Sequence, residues 1–365
     1  MHPRPVNFSA GPAILPLSVL EQASKDVMAL EGVGLSILEI SHRSPPFEKV
    51  LQEAKERIKQ LLAVPDTHDV LFLQGGARGQ FAQVPMNFLK AGTSAAYVDT
   101  GVWSKGAVEE AQRVGDAHIL ASGLDAGYAA LPELSRAEVA GDNAYVHTTS
   151  NNTIYGTQWQ TLPEFPGTYH VCDMSSDIFS REIDVSSFGL IYAGAQKNAG
   201  PAGVTLVIIN KAWMESARED IPTIFRYETQ AKKGSTYNTP PVFPIYVVGL
   251  VAKWLEEQGG VEAIKVRNAA KADALYEAMQ RSNGFYAPTV LDPRHRSQMN
   301  VTWRVADSAL EPVFVAEAAE AGLSGLKGHR LVGGLRASIY NAMPLAGCER
   351  LANFMDEFAG RHAGA

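Results

Sequence analysis

A chain of 365 residues, 46% hydrophobic and 19% charged, has the make-up of an ordinary globular protein with a deep core and two closely joined domains. Its net charge of −7 offers no basic footprint for nucleic acid or for an anionic membrane, so an acidic substrate would have to meet a local concentration of cations. The two cysteines, Cys172 and Cys348, fall in no C-x-x-C or Cys/His cluster, which argues against a disulfide scaffold and against a metal site. Prolines and polar residues interrupt MHPRPVNFSAGPAILP where a signal peptide needs an apolar run, and no later run reaches membrane-spanning length. The expectation is a soluble, cytoplasmic protein, in which the Asn-x-Ser/Thr triplets at Asn7, Asn151 and Asn300 are chance matches.

Along the chain, helical and strand-like patterns alternate. From Pro46 to Leu62, apolar Phe47, Val50, Leu51, Ala54, Ile58, Leu61 and Leu62 recur at helical spacing, and VLFL at 70–73 then reads as a buried strand. GQFAQVPMNFLKA begins another helix and SAAYVDT (94–100) another strand. The same grammar continues through AYVHTT (144–149), TYHVCD (168–173), GLIYAGA (189–195) and GVTLVIIN (203–210). This alternation predicts an α/β protein whose large domain has a mostly parallel central sheet flanked by helices. A helix from Val261 to about Gln280, then SQMNVTWRVA (297–306), a further helix and GLRASIYN (334–341) have the look of a smaller α/β domain. EEQGGVEA sits within helical sequence, so a continuous helix or a close-packed joint is expected rather than a tether. The division expected is 16–260 for the large domain, with 1–15 and 261–365 forming the small one.

Several segments can carry chemistry. Gln74-Gly75-Gly76-Ala77-Arg78-Gly79-Gln80 lies between a strand and a helix, where glycines permit a tight turn that brings N–H groups toward an anion at the positive helix end. It fits neither G-x-G-x-x-G nor G-x-x-x-x-G-K-[ST], and a plain structural turn accounts for it equally well. Lys197 follows the strand-like IYAGA, the end of an open α/β sheet at which ligands bind. A partly buried amine with a lowered pKa can attack an aldehyde and hold it as an imine, although most lysines are merely solvated. Asp173 ends the preceding strand and can pair with a protonated pyridine nitrogen or simply cap the turn DMSSD. Trp103 can stack on a flat ring or belong to the core. Thr153 can bond a ring hydroxyl or close a turn.

Two basic pairs, His42-Arg43 and His329-Arg330, and beyond them Arg336, suit carboxylate or phosphate, which arginine grips with parallel hydrogen bonds. Isolated surface arginine is the alternative for each, yet SHRSPP and GHRLVGGLR both look like rigid turns. YNTPP (237–241) opens the helix PIYVVGLVAKWLEE, with Asn or Thr as the cap and proline just inside. Such an end also suits a phosphate.

The ordered set NFSAGPAILP, SHRSPPFE, GGARGQFAQVPMN, YVDTGVW, AGAQKNAGPAG, YNTPP and GHRLVGGLRASIYNAM resembles the phosphoserine aminotransferase family, which belongs to the fold type I pyridoxal-phosphate-dependent transferases. The likeness spans essentially the whole chain. It implies the cofactor pyridoxal 5′-phosphate with Lys197 as the Schiff-base residue, Asp173 on the pyridine nitrogen, Trp103 over the ring and Thr153 at its hydroxyl. It also implies that Ala77, Arg78 and Gln196 help hold the phosphate, reached by Asn238 and Thr239 from the partner subunit of a homodimer with shared active sites. Arg336 is implied for the α-carboxylate of the substrate, and His42, Arg43, His329 and Arg330 for its distal carboxylate or phosphate. The implied reaction moves an amino group from L-glutamate to 3-phosphohydroxypyruvate, as in serine biosynthesis, with 4-phosphohydroxy-L-threonine of pyridoxine biosynthesis as a further substrate to consider.

Two departures stand out. Ala77 occupies a position where some members carry a third glycine, which matters only if the turn needs a positive φ there. Asn151-Asn152 replaces an acidic residue found in other members, which bears on Thr153. The rivals are an aminotransferase for small neutral amino acids, disfavoured by the cost of unpaired cations in a closed site, and a nucleotide-binding α/β protein, disfavoured because no lysine follows the glycine-rich turn.

Overall fold

The computed structural model describes residues 4–134 and 143–362. In chain order the elements are β1 (Val6–Asn7), α1 (Leu17–Met28), α2 (Pro45–Leu61), β2 (His68–Leu73), α3 (Gly76–Phe88), β3 (Ser94–Asp99), α4 (Val102–Val114), β4 (Asp116–Ser122), β5 (Asn143–Thr149) and β6 (His170–Asp173). There follow β7 (Leu190–Gly194), β8 (Thr205–Asn210), α5 (Lys211–Glu215), α6 (Tyr227–Lys232), α7 (Val242–Glu257) and α8 (Gly260–Arg281). The chain continues through β9 (Tyr286–Pro288), β10 (Asn300–Val305), α9 (Leu310–Glu320), β11 (Leu323–Ser324), β12 (Leu335–Ser338) and α10 (Leu345–His362).

A seven-stranded sheet in the order β2-β8-β7-β6-β5-β3-β4 forms the centre. Strands β7, β6, β5, β3 and β4 run parallel, while β8 runs against both of its neighbours. Consequently β2 points the same way as the parallel strands, and the segments leaving β2, β3, β5, β6 and β7 emerge along one edge. Alternation along the strands sends Phe72, Cys172, Ile191 and Ile208 into a core shared with α2 and α7. The intervening Leu71, Val171, Tyr192 and Val207 enter the opposite core with α3 and α4. Both faces are thus covered, which is why these strands read as unbroken apolar runs.

The remaining strands make an antiparallel sheet β12-β10-β9 and a small pair, β1-β11. Phe8, from the start of the chain, joins a core with Leu275, Trp303, Phe314 and Phe358. EEQGG does not continue one helix: α7 stops at Glu257, and Gly259 and Gly260 take φ of +94° and +73° before α8 begins. Only glycine enters that region at little cost, so the helix is broken and redirected. Buried Lys271 of α8 donates to the carbonyls of Ile339 and Tyr340, each at 2.8 Å, and burial depresses its pKa to about 8. On the same helix, Asn268 Nδ2 donates to Ser180 O at 3.3 Å and to Asn341 Oδ1 at 2.9 Å. These bonds fix the segment after β12 against the loop that follows β6.

Two local expectations change. Strand β4 was not marked by the sequence, because DAHILAS on the sheet edge is largely exposed. The helix after YNTPP begins at Val242 with Pro241 at the cap and no side-chain cap bond, so neither Asn238 nor Thr239 caps it. Instead Asn238 Nδ2 donates to Gln74 Oε1 at 2.9 Å, and Gln74 Nε2 donates to Thr239 O at 3.0 Å.

Candidate active site

The shared edge of the sheet gathers part of the set that the sequence suggested, Ala77, Arg78, Trp103, Asp173, Gln196 and Lys197. Between β2 and α3, Gly75 and Gly76 adopt φ of +98° and +66°. Ala77 is already helical and has no positive φ; the turn needs glycine only before it, so the alanine is accommodated. The start of α3 carries no side-chain cap, leaving its first N–H groups open to an anion. These residues, with Trp103, Asp173, Gln196 and Lys197, line one cavity of about 230 Å³.

Lys197 lies in the turn after β7, with Nζ donating to Thr153 Oγ1 at 2.6 Å. The same Nζ stands 5.2 Å from the centroid of the Trp103 ring, and the Arg78 guanidinium carbon stands 5.4 Å from it. Burial lowers the Lys197 pKa to about 8; Asp173 opposes the shift and Arg336 adds to it. At neutral pH a usable fraction of this amine is therefore uncharged.

Asp173, at the end of β6, is buried. Its Oδ1 accepts from Ser175 N at 2.9 Å and from Ser175 Oγ at 2.6 Å, and among the described residues Oδ2 has no hydrogen-bond donor. Burial raises the pKa of the carboxyl group, while Lys197 and the Ser175 bonds pull it down. A buried carboxylate with one open oxygen is suited to a cationic N–H. Behind it, Tyr192 pairs with Asp173 across the β6–β7 ladder, and its hydroxyl meets His147 Nε2 at 2.9 Å. Burial drops the His147 pKa to about 3, so this neighbour stays neutral.

The segment leading into α4, which carries Trp103, and the turn that holds Thr153 are tied to each other. Asn152 Nδ2 donates to Thr100 O at 2.8 Å, and Asn152 Oδ1 accepts from the N–H groups of Ile154 and Tyr155 at 3.0 and 3.1 Å. Asn151 Nδ2 donates to Ser176 Oγ and to Asn300 Oδ1 at 2.8 and 2.7 Å. Neutral amides thus do the fastening here, and Thr153 is held in contact with Lys197 despite the departure from an acidic residue. Gly101, with φ of +139°, packs so tightly that a Cβ would lie 2.5 Å from Asn152 Nδ2. Buried Asp99 anchors the start of α4 through Gly101 N, Ser104 Oγ, Ser122 Oγ and Tyr128 OH.

Arg336 reaches from β12, with Nη1 donating to Thr153 O at 3.1 Å. It shares a second cavity with His329, whose pKa is lowered by burial and then by Arg336 and Arg330. Arg330 is exposed on the same turn. His42 and Arg43 border neither cavity, so one chain does not bring all five His and Arg candidates together; Arg43 is exposed, and among the described residues His42 Nε2 is buried without a hydrogen-bond partner. Asn238 and Thr239 likewise do not line the Lys197 cavity of their own chain.

A model of the class-V aminotransferase family matches residues 6–351. The phosphoserine aminotransferase of Shouchella clausii (strain KSM-K16) is 52% identical over 357 residues, covering 98% of this chain and 97% of its own. The chain belongs to the phosphoserine aminotransferase family, within class V. The solved phosphoserine aminotransferase of Bacillus circulans subsp. alkalophilus matches this enzyme with a TM-score of 0.95 and 47% identity, over 98% of this chain and 99% of that one. Another solved phosphoserine aminotransferase, described for radiation damage of its Schiff base, has a TM-score of 0.95 and 44% identity, over 98% of this chain and all of that one. The enzyme is thus a transaminase of mixed α/β architecture with a mostly parallel central sheet. No helix among its described residues is long and apolar enough to cross a membrane.

Of the residues to which the sequence assigned no role, Ser175 and Asp99 matter most to the site, and Asn152, noted only as a departure, proves to be a fastener. Ser175 had a visible signal, since Asp followed two residues later by Ser is a common local hydrogen-bonding pattern. Asn152 and Asp99 act through partners distant in the chain, and no short motif marks them.

Proposed function

We propose that this enzyme transfers an amino group from L-glutamate to 3-phosphohydroxypyruvate, giving O-phospho-L-serine and 2-oxoglutarate, with pyridoxal 5′-phosphate bound in the Lys197 cavity. The observation that carries the reading is the pairing of a depressed-pKa lysine with a buried, half-satisfied carboxylate in one cavity. The donor set suits this cofactor: open helix N–H groups and Arg78 for a phosphate, Trp103 for a ring face, Thr153 for a hydroxyl, Asp173 for a ring N–H and Lys197 for an aldehyde. Ala77 and Gln196 complete the phosphate end in this reading. When bound, the cofactor supplies an aldehyde carbon and a ring that draws electrons from the amino acid.

The protein's own groups then divide the work. Arg336 binds the α-carboxylate, which places the α-carbon near Lys197, and Lys197 Nζ takes the α-proton as general base. Asp173 holds the positive charge opposite it, while Thr153 Oγ1 steadies the amine between proton transfers. His42, Arg43, His329 and Arg330 receive the distal carboxylate of glutamate or the phosphate of the acceptor. Because His42 and Arg43 stand apart from the His329 turn, and Asn238 and Thr239 from the cofactor cavity, sites completed by a second subunit account for all four. Exposed Leu17, Leu20, Leu35, Leu38, Ile224 and Phe225 provide apolar surface for such a homodimer. The same cations suit a phosphorylated hydroxythreonine, and a cytoplasmic location fits the two unpaired thiols.

Donor and acceptor use one cavity in turn, so initial rates at several fixed glutamate concentrations are expected to give parallel double-reciprocal lines against 3-phosphohydroxypyruvate. Lines that converge, or amino transfer to pyruvate as efficient as to the phosphorylated acceptor, would refute the assignment.

A further inference from the structure

The turn that presents His329 and Arg330 rests on an ion pair outside the roles described so far. Gly328 N–H donates to Gly334 O at 2.8 Å, and the N–H groups of Val332 and Gly333 donate to His329 O at 3.0 and 2.8 Å, closing the turn on itself. Gly333 and Gly334 both have φ of +68°, and a Cβ would meet Arg304 Nη1 at 3.0 Å from the first and Trp303 O at 2.8 Å from the second. The turn therefore lies flat against Arg304 of β10. Arg304 Nη2 donates to Val332 O, and Nη1 stands 3.3 Å from each carboxylate oxygen of Glu311. Glu311, in the first turn of α9, accepts Gly334 N–H at 3.2 Å. One guanidinium and one carboxylate thus grip the turn at its far side and at its base.

We propose that Arg304 and Glu311 are positioning residues that hold the His329–Arg330 turn in its anion-binding shape, and so set the preference for phosphorylated over unphosphorylated substrates without touching either. A glycine-rich turn is intrinsically free to take many shapes, and burial, then Arg336 and Arg330, disfavour charge on His329. The ion pair restrains the turn. Its side chains are 50% and 14% exposed, a setting in which such pairs add little to global stability. Their effect belongs to preorganisation of the binding site.

The inference rests on the reading that the turn receives the distal anion, and the test separates the two. 3-Phosphoglycerate carries a phosphate and a carboxylate but no amine, so it can be titrated calorimetrically into the holoenzyme, with glycerate as the unphosphorylated control. The native enzyme is expected to prefer 3-phosphoglycerate, and Arg330→Ala to erase that preference. Glu311→Ala is expected to weaken 3-phosphoglycerate about 10-fold with glycerate binding and melting temperature unchanged. Glu311→Gln, which keeps an acceptor for Gly334 N–H, is expected to recover part of the loss. Should Glu311→Ala fail to fold, Arg304→Lys keeps the charge but cannot span Val332 and Glu311 together, and the same selective loss is expected of it. A drop with Arg330→Ala but none with Glu311→Ala or Arg304→Lys overturns the positioning role, as does an equal loss for both ligands. No drop with Arg330→Ala removes the anion reading and the proposal with it.

Discussion

Replacement of Lys197 by alanine is expected to lower turnover by at least about 10⁴-fold, the upper range for loss of a positioned acid–base group, because the covalent attachment is lost as well. No nearby group among the described residues can substitute. Among the described residues the other cation over the Trp103 ring is Arg78, whose guanidinium does not deprotonate in proteins, and His147 is engaged with Tyr192 within the sheet. The same lysine fixes a pH dependence. Burial moves its pKa down to about 8, so the uncharged amine grows through that value as pH rises and is nearly complete well below the range of an ordinary lysine. Cofactor uptake by the apoprotein, followed by absorbance, is therefore expected to accelerate with a midpoint near pH 8 and then level off. A rate still climbing steeply at pH 10 would place an unperturbed amine at the reacting position.

Asp173→Asn is expected to reduce kcat by on the order of 100-fold or more, the scale associated with removing a fixed charge aimed at charge that develops during reaction. The substitution is nearly isosteric. Asparagine keeps Oδ1 for the N–H and O–H of Ser175, so the β6 turn can survive while the charge is gone. A second readout has a definite sign: Asp173 raises the pKa of Lys197, hence its loss is expected to move the midpoint of cofactor uptake below pH 8. Unchanged kcat together with an unchanged midpoint in a folded Asp173→Asn enzyme would leave the carboxylate as a turn cap and nothing more.

Much of this arrangement could be read from the chain because burial on both faces of the sheet leaves a plain record. VLFL and GLIYAGA, and residues 204–209 within GVTLVIIN, form strands whose residues are buried on both faces of the sheet, and the chemistry follows at their ends. Gly75-Gly76 announced its turn through residues that only a positive φ requires. Edge strand β4 left no such record, since exposure weakens the apolar pattern. YNTPP misled because proline was expected inside the helix and stands instead at its cap, which frees Asn238 to bond Gln74. Long-range geometry was the least legible part. Nothing in TTSNNTIYG shows that Asn152 fastens Thr100, or that Thr153 meets an amine many residues later. Nor does the sequence reveal that a single chain separates His42-Arg43 from the cavity shared by His329 and Arg336.

The most direct measurement is a peptide map of the holoenzyme after borohydride reduction, which makes the attachment of the cofactor permanent. The added pyridoxyl mass is expected on the peptide containing AGAQKNAGPAG, at Lys197, and to vanish when the enzyme is treated with L-glutamate before reduction. Label on any other lysine, or label at Lys197 that glutamate does not displace, would contradict the central claim that this amine holds the cofactor and yields it to the amino donor.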